Sequence, residues 1–307
     1  MNLQKAKKLR SEFNHGTSIA LFLIFVFILL RFSFTIREAI IYGIRLSATV
    51  VIPSVFPFMI LSDFLNSIPK TQNGILKKLY EHTFLLPKKT ASAFIIGNLC
   101  GFPLGIKSAT EIYKQGELSR DQYTRLCAIA NNPSIAFTVI GVGGAMRGSM
   151  KDGVTLYLSV VLSSFIIGMI TRSKECISAN TDNITEQNFD LSNSIKSAGY
   201  TSISISSYII FFCALAEVLN LTIKSKLVLL TVSPLLEVSR ACDFINSSPL
   251  LDAKASMIFT AFALGFSGFS VHLQGFSLMP REVSKMRYLS LKFAIGLLAA
   301  LFILIST

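Results

Sequence analysis

Long apolar runs dominate this sequence and restrict what it can fold into. Such runs occupy residues 17–30, 153–171, 199–220 and 288–306, and about 20 apolar residues cross the hydrocarbon core of a bilayer as one helix. Charged residues make up 15% of the chain and hydrophobic residues 51%, whereas soluble domains average about 25% charged residues. The sequence therefore predicts an all-α, polytopic membrane protein.

Other apolar segments are interrupted by residues that a helix serving only to fill a bilayer would avoid. Three glycines, a proline, an asparagine and a lysine fall within residues 97–107, and similar interruptions fall at Asn131–Ser134, Glu237–Arg240 and Gly268–Gln274. Non-helical backbone at membrane depth occurs where protein or a water-filled cavity satisfies its polar groups, and transporters place binding sites at such breaks. We therefore predict broken or re-entrant helices whose interruptions form a four-part central site.

The glycines of the first interrupted segment fit two interpretations. Gly97, Gly101 and Gly105 are four residues apart, which would place them on one helix face and let another membrane helix approach closely. The neighbouring Pro103 and Lys107 do not belong to such a packing face and favour a broken helix beside a cavity. We expect the glycines to serve both purposes.

The distribution of charge predicts the orientation of the chain in the membrane. The Lys/Arg-rich residues 1–16, 67–90 and 281–292, the last of which ends at Lys292, are expected on the cytoplasmic side, and the acidic loop 172–198 outside. This places the N-terminus inside and the C-terminus outside, with an odd number of crossings between about five and nine.

Two parts of the chain differ in their expected role. Residues 1–42 form a basic segment and a first transmembrane helix at 17–30, and residues 43–307 form a transport domain whose first span is 43–66. Within that domain, Ser119 and Gln122 have the spacing of a capping box and predict the start of a helix.

An internal repeat divides the transport domain into two similar halves, at about 43–171 and 199–307. The sequence PFMILSDFLN at 57–66 resembles FFCALAEVLN at 211–220, an offset of 154 residues, whereas GFP at 101 and GFS at 268 are offset by 167. Duplicated halves with interruptions at matching places are typical of transporters. The sequence leaves open whether the halves are parallel or inverted.

Motifs for catalysis, metals and nucleic acids are missing. Residues 101–108 imitate a phosphate-binding loop, but their spacing is G-x-x-x-G-x-K-S rather than G-x-x-x-x-G-K-S. The three histidines and five scattered cysteines show neither metal-ligand spacing nor a disulfide framework. The net charge of +12 lies beside apolar segments, where it suits membrane topology and anionic headgroups rather than nucleic acid. We expect no enzymatic activity, no cofactor and no metal.

Ionisable residues in apolar segments are costly and are functional candidates for that reason. Glu237 and Arg240, three residues apart, are predicted to pair on one helix face. The alternation of Ser270, His272 and Gln274 predicts that these side chains project from irregular or extended backbone. The ionisable candidates are Asp63, Lys107, Glu217, Glu237, Arg240 and His272.

Several of these blocks together resemble a known family. The motifs are GFPLGIK at 101–107, NNPS at 131–134 followed by Phe137, PLLEVS at 234–239 and GFSGFSVHLQ at 265–274. In their order and spacing they are similar to the YlbJ-like sporulation integral membrane proteins, which carry the nucleoside-recognition, or Gate, domain. Ser233-Pro234 and Ser239-Arg240 depart from the pattern expected around Glu237.

The resemblance implies a protein of the cytoplasmic membrane of a spore-former, in the mother-cell-derived membrane around the forespore. A relative in the family, SpoVV, is associated with moving dipicolinic acid from the mother cell to the forespore. We therefore expect a secondary transporter of a small anionic metabolite, with dipicolinate as the expected solute. The alternatives are a nucleoside-type carrier and a non-transporting scaffold of a sporulation complex.

The expected partners are the anionic solute, the lipid bilayer and a coupling ion, for which H⁺ and Na⁺ are both candidates. A small planar dianion would suit cationic side chains and the exposed N-termini of broken helices. The residues expected to bind the solute are Asn98, Gly101, Pro103, Lys107, Asn131, Asn132, Ser134, Glu237, Arg240, Ser270, His272 and Gln274.

Overall fold

A computed structural model describes residues 30–67, 75–173 and 189–306, together with a few positions between 19 and 27. These described residues form helices and connecting turns, without a strand. The helices of the first half are α1 Ser33–Leu46, the π-helical turn Ser47–Val51, α2 Ile52–Ser67, α3 Ile75–Phe84, the 3-10 turn Lys88–Thr90, α4 Ala91–Cys100, α5 Leu104–Lys114, α6 Arg120–Ala130, the π-helix Ala136–Met146 and α7 Met150–Ile170.

The second half has a similar order of elements. Each half begins with a long helix, continues with two interrupted helices and ends with a long helix. The helices of the second half are α8 Leu191–Thr222, α9 Lys226–Leu236, α10 Val238–Ser247, α11 Ala253–Phe266, α12 Gly268–Leu278 and α13 Lys285–Ser306.

Five helices in the described ranges are long and apolar enough to cross a membrane. They are Ser33–Phe64, Met150–Ile170, Leu191–Thr222, Ala253–Leu278 and Lys285–Ser306. This confirms the prediction of an all-α, polytopic membrane protein. The span expected at 43–66 begins ten residues earlier, because α1 continues through the π-helical turn into α2.

Several predicted elements lie mainly outside the described residues. These are the basic segment 1–16, the first transmembrane helix at 17–30 and most of the acidic loop 172–198. The capping box at Ser119 is confirmed, because its side chain accepts a hydrogen bond from the backbone of Gln122 and the Gln122 side chain accepts one in return.

The long opening helices of the two halves pack antiparallel. A Cβ on Gly43 would lie 3.0 Å from the Cα of Ile210, and the rings of Phe64 and Phe189 meet edge-on with centroids 5.3 Å apart. Because residue number rises along one helix as it falls along the other, the two helices run in opposite directions. This is the arrangement expected of inverted rather than parallel halves.

Glycines let the first interrupted segment fold back on itself. A Cβ on Gly97 would lie 2.9 Å from the Cα of Gly105 and only 1.8 Å from the carbonyl oxygen of Ala130. In an unbroken helix Gly97 and Gly105 would be roughly 12 Å apart, so α4 and α5 form a hairpin against α6. Gly101, at the bend, has a φ of +86°, which favours glycine.

Substitution at this crossing should destabilise the fold. We expect Gly97→Ala to lower the stability by about 1–3 kcal/mol or more, because the new methyl group collides with backbone atoms that cannot move independently. Thermal unfolding of the purified protein in detergent measures this loss.

Gly199→Ala is the matched control. Gly199 lies inside helix α8, and nothing would approach its Cβ within 4 Å. Alanine there should leave the stability unchanged or raise it by about 0.5–1 kcal/mol. Equal melting temperatures for the two variants would contradict the close approach of α4, α5 and α6.

Candidate functional site

The interruptions of four segments meet at one buried crevice. Gly101 and Ser134 lie in contact across it, since a Cβ on Gly101 would be 2.6 Å from the backbone nitrogen of Ser134. Gly268 lies beside the break at Glu237 in the same way, because a Cβ on Gly268 would be 3.3 Å from the backbone nitrogen of Glu237. The interrupted segments contribute Gly101, Phe102, Ser134, Phe137, Ser239, Val271 and Gln274 to the lining.

The long antiparallel helices complete the crevice at equivalent positions. Val51 and Val55 line it from the first half, and Ile205 and Ile209 line it from the second. Each isoleucine follows its valine counterpart at the offset of 154 residues found in the sequence repeat. The crevice therefore lies where corresponding parts of the two halves cross.

The crevice is closed in this conformation. Its volume is about 10 Å³, which is room for about one water molecule. A solute with several non-hydrogen atoms enters only if the surrounding helices separate.

Three helices begin at the crevice. Helix α5 starts at Leu104, after Phe102. The helix after the second break is capped by Ser134, whose hydroxyl accepts a hydrogen bond from the Phe137 backbone at 3.0 Å. Helix α10 starts at Val238, next to Ser239. Helix N-termini carry partial positive charge that favours an anion, and at α10 the carboxylate of Glu237 already supplies one.

Two polar atoms on the face of helix α12 that Ser270 and Gln274 share lack hydrogen-bond partners among the described residues. The Oε1 atom of Gln274 is one, and the hydroxyl of Ser270 is the other. Gln274 is 5% exposed and lines the crevice, and Ser270 is fully buried. A buried polar atom left without a partner costs about 1–3 kcal/mol, so these atoms are available to a polar ligand.

Asn98 and Asn132 belong to a buried network beside the crevice rather than to its lining. The Asn132 amide donates to Oδ1 of Asn98 at 2.9 Å and to Oγ of Ser164 at 2.8 Å. The Asn98 amide donates in turn to the carbonyl of Phe94 at 2.8 Å. These bonds join the first and second breaks to α7.

Lys292 is a residue of this network that the sequence prediction missed. It is fully buried in α13, and its ammonium donates to the carbonyl of Asn131 at 2.8 Å and to Oδ1 of Asn132 at 3.0 Å. The sequence groups Lys292 with the basic stretch 281–292, whereas the structure buries its side chain inside a membrane-spanning helix. Its position several residues inside the last apolar run was the signal that could have revealed it.

Asn131 and His272 converge on another residue of α13. The Asn131 amide donates to the hydroxyl of Tyr288 at 2.8 Å, and Nδ1 of His272 lies 3.3 Å from the same hydroxyl. His272 also packs edge-on against Phe266, with ring centroids 4.7 Å apart. His272 thus faces an aromatic and hydroxyl environment outside the crevice lining.

The predicted extended backbone at Ser270, His272 and Gln274 is wrong. All three residues lie in helix α12. On a helix, residues four apart share a face, so Ser270 and Gln274 point one way and His272 points another. All three polar side chains lie on the broad buried side of α12, whereas Phe269 and Leu273 form its exposed side.

The predicted pairing of Glu237 with Arg240 is also wrong. The Glu237 carboxylate caps helix α10 by accepting from the backbone N–H of Arg240. The Arg240 guanidinium instead forms an ion pair with Glu217 at 2.6 Å and donates to the carbonyl of Cys213. The break before α10 turns the two side chains apart.

Lys107 forms the equivalent ion pair in the first half. Its ammonium lies 3.8 Å from the carboxylate of Asp63. Neither Lys107 nor Arg240 lines the crevice. Pro103 precedes α5 and joins Phe102 through a cis peptide bond.

The two ion pairs lie on opposite sides of the crevice. Asp63 follows Val55 by eight residues, and Glu217 follows Ile209 by eight residues, which is roughly 12 Å along a helix in each case. Because the helices are antiparallel, these displacements point in opposite directions. A cavity of about 320 Å³, lined by Glu38, Tyr42 and Asp243 among others, lies at the Glu217–Arg240 pair.

The two ion pairs should differ in strength. Side-chain exposure is 17% and 19% for Arg240 and Glu217, but 37% and 27% for Lys107 and Asp63. We expect Glu217→Gln to cost about 3 kcal/mol, because it leaves a largely buried guanidinium without a counter-charge. Asp63→Asn should cost less than about 1 kcal/mol. Thermal unfolding of both variants in one detergent compares them, and equal losses would contradict this difference.

Comparison with known proteins gives one distant relationship. The chain is 24% identical over 278 residues to the sporulation integral membrane protein YlbJ of Bacillus subtilis (strain 168), in an alignment that covers 76% of this chain and 67% of YlbJ. No protein-family model matches the chain, and no solved structure matches it either. The chain is thus an integral membrane protein and a distant relative of YlbJ.

Proposed function

We propose that this protein is a secondary transporter of a small anionic solute and is not an enzyme. Its binding site is the central crevice, and it works by alternating access. The observation that carries the proposal is the meeting of three helix N-termini at one buried point, two of them without a carboxylate cap.

Electrostatics support an anion as the solute. Helix N-termini stabilise negative charge by about 0.3–1 kcal/mol each, and more where they are desolvated. Ser134 and Ser239 supply hydroxyls at two of these N-termini. Lys107 and Arg240 place a cation on each side of the crevice, where each can attract an anion that enters from that side.

The relation between the halves supports alternating access. The opening helices run antiparallel and cross at the crevice, and each half holds one ion pair on its own side of that crossing. Separating one pair would open the crevice to one side, while the other pair keeps the opposite side closed. In this scheme the crevice, with room for about one water molecule, is closed in the present conformation.

Dipicolinate is the solute that we propose. The relative YlbJ is named a sporulation integral membrane protein, and dipicolinate is a small planar dianion that spores accumulate. Its carboxylates would accept from the hydroxyls of Ser134 and Ser239, and the amide of Gln274 would donate to it. The membrane that surrounds the forespore is the corresponding location.

A nucleoside is the second candidate. Ser134, Ser239 and Gln274 are neutral groups that both donate and accept hydrogen bonds, and the unpartnered carbonyl oxygen of Gln274 suits a base or ribose donor. A nucleoside carrier would depend little on the two cations beside the crevice.

Uptake into proteoliposomes tests the proposal. We expect the wild-type protein to accumulate labelled dipicolinate rather than uridine when an ion gradient is imposed. Gln274→Ala should reduce the affinity about 10- to 100-fold, because a hydrogen bond to a charged group contributes about 1.5–3 kcal/mol.

Gln115→Ala is the control, since Gln115 is exposed in the turn after α5. It should transport as the wild type does. Uptake of uridine alone would favour the nucleoside carrier. Uptake of neither solute by folded protein, under any gradient, would overturn transport and favour a scaffold.

A further inference from the structure

Lys292 has no place in the proposed binding of an anion. It is fully buried in a membrane-spanning helix, where a charged side chain is costly and is retained for a reason. Among the residues that the structure describes, no carboxylate lies within 4.0 Å of its ammonium. Its positive charge is therefore held by neutral groups.

Those neutral groups are oxygens at the second break. The carbonyl of Asn131 lies 2.8 Å from Nζ, and Oδ1 of Asn132 lies 3.0 Å from it. Asn131 follows the last residue of α6, so its carbonyl is not used by that helix. Unwound carbonyls and amide oxygens are the groups with which broken membrane helices coordinate monovalent cations.

The neighbouring side chains fix Asn132 so that its oxygen faces the ammonium. Its two amide N–H groups lie within hydrogen-bonding distance of three acceptors, which are Oδ1 of Asn98, the carbonyl of Ile129 and Oγ of Ser164. All donors of Asn132 are therefore directed away from Lys292. The oxygen is held in place before any cation binds.

A third oxygen in the same residue pair is unused. Asn131 is fully buried, its amide nitrogen donates to Tyr288, and its Oδ1 has no partner among the described residues. This buried acceptor without a donor is a further oxygen that a cation at this pair of asparagines could contact.

We propose that the Asn131–Asn132 break is a site for a small monovalent cation and that the ammonium of Lys292 occupies it as a tethered ligand. A cation that is part of α13 cannot dissociate. Under the proposed transport function, this site then does not exchange Na⁺ with the solution, and the coupling ion acts elsewhere. The tether also fixes α13 to the break that lines the crevice.

Removal of the tether tests the proposal. Lys292→Ala, purified in detergent, should be stabilised by Na⁺, ammonium or methylammonium but not by choline, which is too large for the site. At ten times its dissociation constant, a bound cation raises the ratio of folded to unfolded protein about tenfold. The wild type should not respond to these salts. Adding Asn132→Ala to Lys292→Ala should abolish the response.

Lys114→Ala is the matched control, because it also removes a lysine, but one that is exposed at the end of α5, so it uncovers no buried oxygens. It should give the same melting temperature in every salt. If folded Lys292→Ala is insensitive to all the cations, or if the wild type responds equally, the proposed site is wrong.

Lys292→Gln covers the case in which the alanine variant does not fold. Glutamine can donate to the same two oxygens without a charge. A cation site predicts that Lys292→Gln is clearly less stable than the wild type, and equal stability would overturn the proposal. These measurements do not depend on transport. If the wild-type protein takes up no dipicolinate but Lys292→Ala still responds to cations, the proposed transport function is wrong and the cation site stands.

Discussion

Backbone groups released by a broken helix inside a membrane need partners, and this requirement organises the centre of the protein. At the second break, the freed carbonyl of Asn131 receives the ammonium of Lys292, while the hydroxyl of Ser134 caps the helix that follows. At the third break, the carboxylate of Glu237 caps α10. Both of these interruptions therefore bring a polar side chain into an otherwise apolar core.

The same requirement divides the polar centre into two parts with different roles. The amide nitrogens of Asn98, Asn131 and Asn132 donate within this network, to α7 and to α13, so they hold the broken helices together. Ser134 and Gln274 face the crevice, where the Gln274 carbonyl has no protein partner in the described ranges. The first set gives the site its rigidity, and the second remains available to a solute.

Much of this arrangement follows from the sequence. The hydropathy pattern predicts the membrane class, and glycine, proline and asparagine within apolar runs identify the breaks because each of them disfavours an uninterrupted helix. The three glycines from Gly97 to Gly105 do serve both close packing and a bend. The repeat at Asp63 and Glu217 also marks equivalent ion pairs.

Other features depend on contacts between distant segments and were not predictable. Arg240 pairs with Glu217 rather than with Glu237, because the break before α10 redirects both side chains. Lys292 resembles a topogenic charge until the partner oxygens, about 160 residues earlier in the chain, are known. The alternation at Ser270–Gln274 imitates a strand because the buried side of α12 is broad enough to include all three polar residues, with Phe269 and Leu273 exposed.

An experimental structure determined with saturating dipicolinate tests the central claim most directly. The account predicts that α5, α10 and α12 move apart and that solute density lies between Ser134, Ser239 and Gln274. Density confined to the cavity beside Arg240, with the central crevice still closed, would contradict it.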